Sequence, residues 1–381
     1  MINRKEFLST LSLGSLPLVL SSPIGKRTLS NTIDNDVVEL VSDSQILSAD
    51  DYLEMYAEIG SIQNDVYGNG GSVKELEEAF KNLTGKEAAI FLPTGTLANQ
   101  LAIKLLSGSK TKVFVQENSH VFRDEADAAQ SVHNKRLIPV ESGEEGLKLE
   151  ELTERIDYLN RGEVFKSGQG VVSIESPVRR SDGQFVPLSE LQRISEYCRK
   201  NDLKLHLDGA RIQWAEAYEG HSIKEYAALF DTVYISLYKC LGSPGGAVLS
   251  GPKELIDQIP HLIKIYGSTI YHNWMFTAPA LHVLKTINAD LVKVRSEGEK
   301  LIEGLRASGQ FGIDRVKNGT NIFHLTPQTS DPRGFHTRLR EQEKIALRPP
   351  NQRGSIAVGL NPTLLNRPVD KLIASFKKAM S

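Results

Sequence analysis

Short apolar runs alternate with amphipathic stretches along most of this 381-residue chain. The runs near residues 88–92, 112–116, 170–175, 203–207, 232–237 and 246–250 predict strands. Apolar positions at helical spacing predict helices near 49–59, 72–84, 96–106, 148–159, 189–200, 222–229 and 253–266. Ser72 with Glu75, and Ser189 with Gln192, read as capping pairs at two helix starts. The strand runs are apolar on both faces, as in a sheet covered by helices on each side. Strands alternating with helices make the expected fold class α/β, a mostly parallel sheet of the seven-stranded type between helices. After about Leu284 the period changes to a long helix ending at Ala307, short strands near 321–325 and 355–360, and a helix from Val369. The chain therefore divides on paper into an N-terminal segment 1–27, an arm 28–48, a large α/β domain 49–284 and a small C-terminal α+β domain 285–381.

Composition narrows the function. The formal charge is −2 with both signs interspersed, and no basic block occurs, so nucleic acid is excluded as an expected partner. The two cysteines, Cys198 and Cys240, make neither a metal pattern nor a disulfide framework, and no metal is expected. The N-terminus has a basic start with Arg4 and Lys5, then an apolar stretch from Leu8 to Leu20. It reads as a signal peptide of a degenerate twin-arginine type, too short in its apolar part for a stable span. The expectation is an exported, periplasmic protein without a membrane span in its mature chain; the alternative is a frayed helix on a cytoplasmic protein.

Two strand ends carry the candidate chemistry. The apolar run Thr232 to Leu237 stops at Lys239, and Gly242, Gly245 and Gly246 follow. A lysine delivered from a covered strand is desolvated, which lowers its pKa and frees its amine as a nucleophile or Schiff-base former. About thirty residues upstream, Leu203 to Leu207 ends at Asp208, followed by Gly209 and Arg211. A carboxylate against a pyridinium nitrogen, together with an imine-forming lysine, is what pyridoxal 5'-phosphate chemistry requires. Gly95 and Thr96, at a strand–turn–helix junction, offer backbone N–H groups and the positive end of a helix to a phosphate. His120, after the 112–116 strand, is placed to stack on a planar ring or move a proton.

In sequence order, Asp65-Val-Tyr-Gly, Pro93-Thr-Gly-Thr-Leu-Ala-Asn-Gln, Ser119-His, His206-Leu-Asp-Gly-Ala-Arg and Tyr238-Lys-Cys-Leu-Gly-Ser-Pro resemble the threonine aldolase family. This is the β-eliminating lyase branch of fold-type I pyridoxal phosphate enzymes, and the resemblance covers roughly residues 40–285. It implies that Lys239 is the Schiff-base lysine and Asp208 the pyridinium partner. It implies that His120 stacks on the ring and that Gly95 and Thr96 hold the phosphate. Arg211 would grip a substrate carboxylate, and Ser42 would match an early substrate-binding serine. The implied reaction cleaves a 3-hydroxy amino acid to glycine and an aldehyde in a homodimer or homotetramer. β-Elimination or racemisation of another amino acid is the alternative outcome, and a cofactor-binding relative without turnover is the alternative class.

The departures are specific. Where the family has Glu-Asn-Thr-His-Asn, this chain has Glu175-Ser-Pro-Val-Arg-Arg180, so Val178 stands at the histidine. Tyr271 stands at a family arginine, and a second substrate arginine has only Arg348 and Arg353 near its place. The vacated histidine pocket raises the hypothesis that Arg179 or its neighbour Arg180 enters it to bind an acidic substrate group; the alternative is that both are solvated turn residues before Ser181-Asp-Gly.

Overall fold

The computed structural model describes residues 37–381. The expected signal segment, 1–27, and the first part of the expected arm lie outside the described residues. Among the described residues no helix is long and apolar enough to cross a membrane.

The centre is a seven-stranded sheet of β2 (Ala88–Leu92), β3 (Lys112–Gln116), β4 (Arg136–Val140), β5 (Gln169–Glu175), β6 (Lys204–Asp208), β7 (Thr232–Ser236) and β8 (Ala247–Gly251). Its order is β2-β8-β7-β6-β5-β3-β4. β8 runs antiparallel to both neighbours, and β4, β3, β5, β6 and β7 run parallel. Residues of β3, β7 and β8 are buried throughout, because helices cover both faces. Six of the strands fall where the apolar runs place them. β4 was not predicted: its Arg136-Leu-Ile-Pro-Val is interrupted by Pro139, which only an edge strand tolerates, and β4 is the edge.

The helices used below are α1 (Ala49–Ile59), α2 (Gly71–Thr84), α3 (Gly95–Ser107), α4 (Leu188–Lys200), α5 (Ile212–Glu219), α6 (Trp274–Leu284) and α7 (Ile287–Ala307). The stretch 253–266 is two short helices, Lys253–Ile256 and Ile259–Ile265, because Pro260 sits in the first turn of the second. Both expected capping pairs fail. The N-cap of α2 is Gly70, and buried Ser72 instead hydrogen-bonds Thr277 Oγ1 on α6 at 2.7 Å. α4 starts after Pro187, and the Leu188 amide donates to Glu219 at 2.8 Å, so a residue from α5 does the capping.

The C-terminal part carries an antiparallel sheet of β9 (Phe311–Asp314), β10 (Ile322–Pro327) and β12 (Ile356–Gly359), ordered β12-β10-β9. Residues 37–48, expected to be arm, are built into this part. β1 (Val38–Glu39) pairs parallel with β11 (Ile345–Ala346), and the Gly359 amide donates to Leu40 O at 3.0 Å. Val38 and Leu40 alternate with Glu39 and are fully buried. That alternation over three residues was too short to read as a strand.

Asp65 ties the loop before α2 to the start of α6. Its buried carboxylate accepts from the amides of Gly68, Asn273 and Trp274 and from Asn273 Nδ2, at 2.7–3.0 Å. Burial acts to raise its pKa, but these four donors hold it below the usual carboxylate range. A carboxylate with a depressed folded pKa stabilises at pH above its ordinary value and loses that contribution as pH falls through the folded one. Asp65→Ala should lower urea stability at pH 7 by about 3 kcal/mol, having orphaned several buried donors. The gap between wild type and variant should narrow only below about pH 4, measured by urea titrations across pH.

Candidate active site

The carboxyl ends of β2, β3, β5, β6 and β7 open on one side of the sheet, where ligands of such folds bind. A cavity of about 430 Å³ lies there, and Pro93 to Thr96, His120, Glu125, Asp208, Tyr234, Tyr238 and Lys239 are among the residues lining it. Four separate strand ends thus deliver the predicted group. Lys239 follows β7, Asp208 ends β6, His120 follows β3, and Gly95 with Thr96 begins α3 after β2.

At the α3 start, Thr94 is the N-cap and its hydroxyl accepts from Leu97 N at 3.2 Å. The amides of Gly95 and Thr96 precede the first intrahelical bond and stay available to an anion. Gly95 is required by space: a Cβ there would overlap the hydroxyl of Tyr234, which rises from β7. Thr94 and Tyr234 were missed in the sequence. Thr94 was hidden because the apolar pattern does not mark which threonine caps.

Lys239 is buried, and that burial, reinforced by the Arg211 guanidinium, holds its pKa below the ordinary lysine value. Asp208 accepts from Asn99 Nδ2 at 2.8 Å and from the Ala210 amide at 3.2 Å. Asn99 Nδ2 also donates to Glu125 Oε1 at 2.8 Å, and Glu125 Oε1 faces His120 Nδ1 at 2.9 Å. The bond to Glu125 is the chief cause that raises the His120 pKa above the ordinary histidine value. Burial raises Glu125 as well. The donor atoms of His120, Glu125 and Asp208 lie within 4.8 Å of one another. Asn99 and the His120–Glu125 bond join the three into one hydrogen-bonded network.

Glu175, at the end of β5, positions the backbone around the cavity. One oxygen accepts from the His120 amide at 2.6 Å, the other from the Arg179 amide at 2.8 Å. Full burial, with the Asp208 charge beside it, pushes its pKa up to about 7. Asn99, Glu125 and Glu175 were also missed. Asn99 and Glu175 sit within stretches quoted for other residues and Glu125 lies five residues past His120, and only the tertiary contacts single them out.

Arg211 is not among the residues lining the cavity; it donates through Nε to both oxygens of Asp43, at 2.9 and 3.0 Å, and its Nη1 is buried without a protein partner. Burial opposes its charge, but the Asp43 carboxylate keeps it cationic. Ser42, expected in the site, does not line the cavity. Its hydroxyl turns to the carbonyl of Ser44, and it is the next residue, Asp43, that connects this segment to the site.

The remaining arginines are corrections. Arg179 and Arg180 do not enter the cavity: both bind Asp124, and their side chains are 52% and 42% exposed. A carboxylate at the surface satisfies them at less desolvation than the pocket would demand. Arg348 is exposed and donates to Val41 O at 2.9 Å, and Arg353 lies exposed in a turn with Asn351, so neither lines the cavity. Val178 is buried in a turn, its amide donating to Gln184 O at 2.7 Å. Tyr271 stands outside the cavity, edge-on to Tyr67 with ring centroids 5.1 Å apart.

Known proteins bear on this geometry. The low-specificity L-threonine aldolase of Candida albicans is 33% identical over 223 residues, 58% of this chain and 59% of that protein. An alanine racemase of Cochliobolus carbonum is 31% identical over 226 residues, 59% of this chain and 57% of that protein. The matched region thus spans less than two thirds of the length of these curated relatives. A solved Listeria monocytogenes chain proposed to be an L-allo-threonine aldolase superimposes with a TM-score of 0.76 at 23% identity, covering 91% of this chain and 96% of that one. It shares the fold. The family model described as β-eliminating lyase matches residues 39–327, three quarters of the chain, and the protein belongs to that family.

Proposed function

We propose that this chain is a pyridoxal 5'-phosphate-dependent lyase that cleaves a 3-hydroxy amino acid between Cα and Cβ, giving glycine and an aldehyde. The observation that carries the reading is the convergence of Lys239, Asp208 and the free amides at the start of α3 on one cavity. The residues fit that cofactor. The amides of Gly95 and Thr96 offer a phosphate seat, the Asp208 carboxylate a partner for a pyridinium nitrogen, and the buried Lys239 amine a partner for the aldehyde. His120 lies against the same space, with Nδ1 held by Glu125 and Nε2 left for a ligand. The orphaned Arg211 Nη1 suits a substrate carboxylate or the ring oxygen.

When bound, pyridoxal phosphate supplies an electron sink for the bond broken at the amino acid's Cα. The chain's own groups do the rest. Asp208, its carboxylate held by Asn99 and Ala210, keeps a ring proton in place. Arg211 orients the substrate carboxylate and is itself fixed by Asp43. Because Val178 offers no base, the proton of the 3-hydroxyl falls to a group already in the cavity. Lys239, whose buried amine lines the cavity and whose lowered pKa leaves it able to accept a proton, would be that group. The resemblance to an alanine racemase in C. carbonum supports a second outcome, proton exchange at Cα, from the same residues.

The exposed pair Tyr67 and Tyr271, with Val66 and Ile265 also exposed, supports a homo-oligomer. The basic start and apolar stretch ahead of residue 37 support export to the periplasm.

Borohydride reduction of protein incubated with pyridoxal phosphate should fix the cofactor on the peptide containing Lys239, with no labelled peptide in Lys239→Ala. Lowering a lysine pKa makes the reactive free amine available at lower pH. Cofactor capture should therefore rise with a midpoint below the ordinary lysine range, read by labelling yield against pH. Loaded enzyme should release aldehyde from L-threonine or L-allo-threonine. Lys239→Ala should cost at least about 10³-fold and Asp208→Asn about 10²–10³-fold in kcat. Arg179→Ala should leave the preference between serine and aspartate as substrates unchanged, since that arginine serves Asp124. Exchange of the Cα proton into deuterated water without aldehyde would favour the second outcome.

A further inference from the structure

Behind the cavity wall lies a polar chain of which the reaction as described uses only Asn99. His206 is fully buried within β6, between Thr232 on β7 and Asn99 on α3. Its Nδ1 faces Thr232 Oγ1 at 2.9 Å, and its Nε2 faces Asn99 Oδ1 at 2.9 Å. Asn99 in turn sends Nδ2 to Asp208 Oδ2 and Glu125 Oε1, each at 2.8 Å. One amide nitrogen thus bridges two buried carboxylates.

The direction of every bond follows from chemistry. Two carboxylate oxygens are acceptors, so the edge of Asn99 that meets them must be its NH₂. Its carbonyl oxygen then faces His206, so His206 Nε2 carries a proton and donates. Full burial brings the His206 pKa down to about 4, so the ring is neutral and Nδ1 is an acceptor. The Thr232 hydroxyl must then donate to Nδ1. Thr232 to His206 to Asn99 is a one-way series of donors that ends on the carboxylates, and each link polarises the next.

We propose that Asn99, held in one amide orientation by the two carboxylates and His206, is a positioning residue that joins Asp208 and Glu125 and thereby keeps the Glu125 carboxylate on His120 Nδ1 and the imidazole in place over the cavity. Without the bridge the two carboxylates would face each other in a buried site, and the pair would take up a proton. His120 would lose the charge that raises its pKa. The groups acting on the His120 ring are Glu125 and Asp124 on its own turn, Asp208 at the end of β6 and Lys239 after β7, while Glu175 of β5 holds its amide. The proposal rests on the lyase reading only for its consequence in turnover, since the network consists of the protein's own groups.

The test is ring-nitrogen NMR of the full chain labelled with ¹⁵N-histidine, with and without pyridoxal phosphate. In the wild type, His206 should be the Nε2–H tautomer, and His120 should titrate above the ordinary histidine value. In Asn99→Leu the His120 midpoint should fall by about one unit. In Thr232→Val, which removes the donor to Nδ1 with little change in volume, His206 should keep the Nε2–H tautomer that the Asn99 carbonyl dictates, and His120 should shift the same way by less. An unchanged His120 titration in folded Asn99→Leu protein, or an Nδ1–H tautomer in the wild type, overturns the proposal. If Asn99→Leu does not fold, Thr232→Val decides alone, and an unchanged His120 titration there overturns it. Failure to fix pyridoxal phosphate on Lys239 would sink the lyase reading and leave these NMR outcomes standing.

Discussion

Charge buried at the ends of apolar strands must be matched where it lies, and this site is organised by that constraint. Asp208, Glu125 and Glu175 are all buried near one another. Isolated carboxylates at such depth would protonate or unfold the site. Here each has assigned donors: Asn99 and the Ala210 amide for Asp208, Asn99 and His120 for Glu125, the His120 and Arg179 amides for Glu175. Lys239 and Arg211 supply the opposing charge, and Asp43 balances Arg211 in turn. The result is a compact set of groups whose protonation is decided by neighbours rather than by solvent.

The same matching ties distant parts of the chain together. Asp43 reaches the site from the segment that follows β1, and that segment is held by the C-terminal part. Asn361 Nδ2 donates to the carbonyls of Glu39 and Ser42, the latter at 3.1 Å, and Arg348 donates to Val41 O. The expected division into arm, large domain and small domain thus describes the order of the sequence better than the connections of the site. Arg348, expected to meet substrate, instead holds the segment after β1 whose Asp43 fixes Arg211. At the opposite end of the same scheme, Glu175 secures the turns carrying His120 and Arg179.

The alternation of apolar runs and amphipathic stretches was enough to find the α/β class and six of the seven central strands, because burial on both faces leaves a local signature that needs no partner to be seen. Lys239, Asp208, His120 and the Gly95–Thr96 turn were legible for a related reason: a charge or a glycine at the end of a buried run contradicts its surroundings, and the contradiction is visible in one dimension. What the sequence could not contain was which polar groups meet. Asn99 and Glu125 are 26 residues apart and Arg211 and Asp43 are 168 apart, so no periodicity relates them. Arg179 and Arg180 were drawn by the sequence toward a vacated pocket, but a nearby surface carboxylate, Asp124, took them at lower desolvation. Local pattern decides which residues are buried; tertiary structure decides which partners buried polar groups find, because hydrogen bonds and ion pairs depend on distances of about 3 Å that only packing sets.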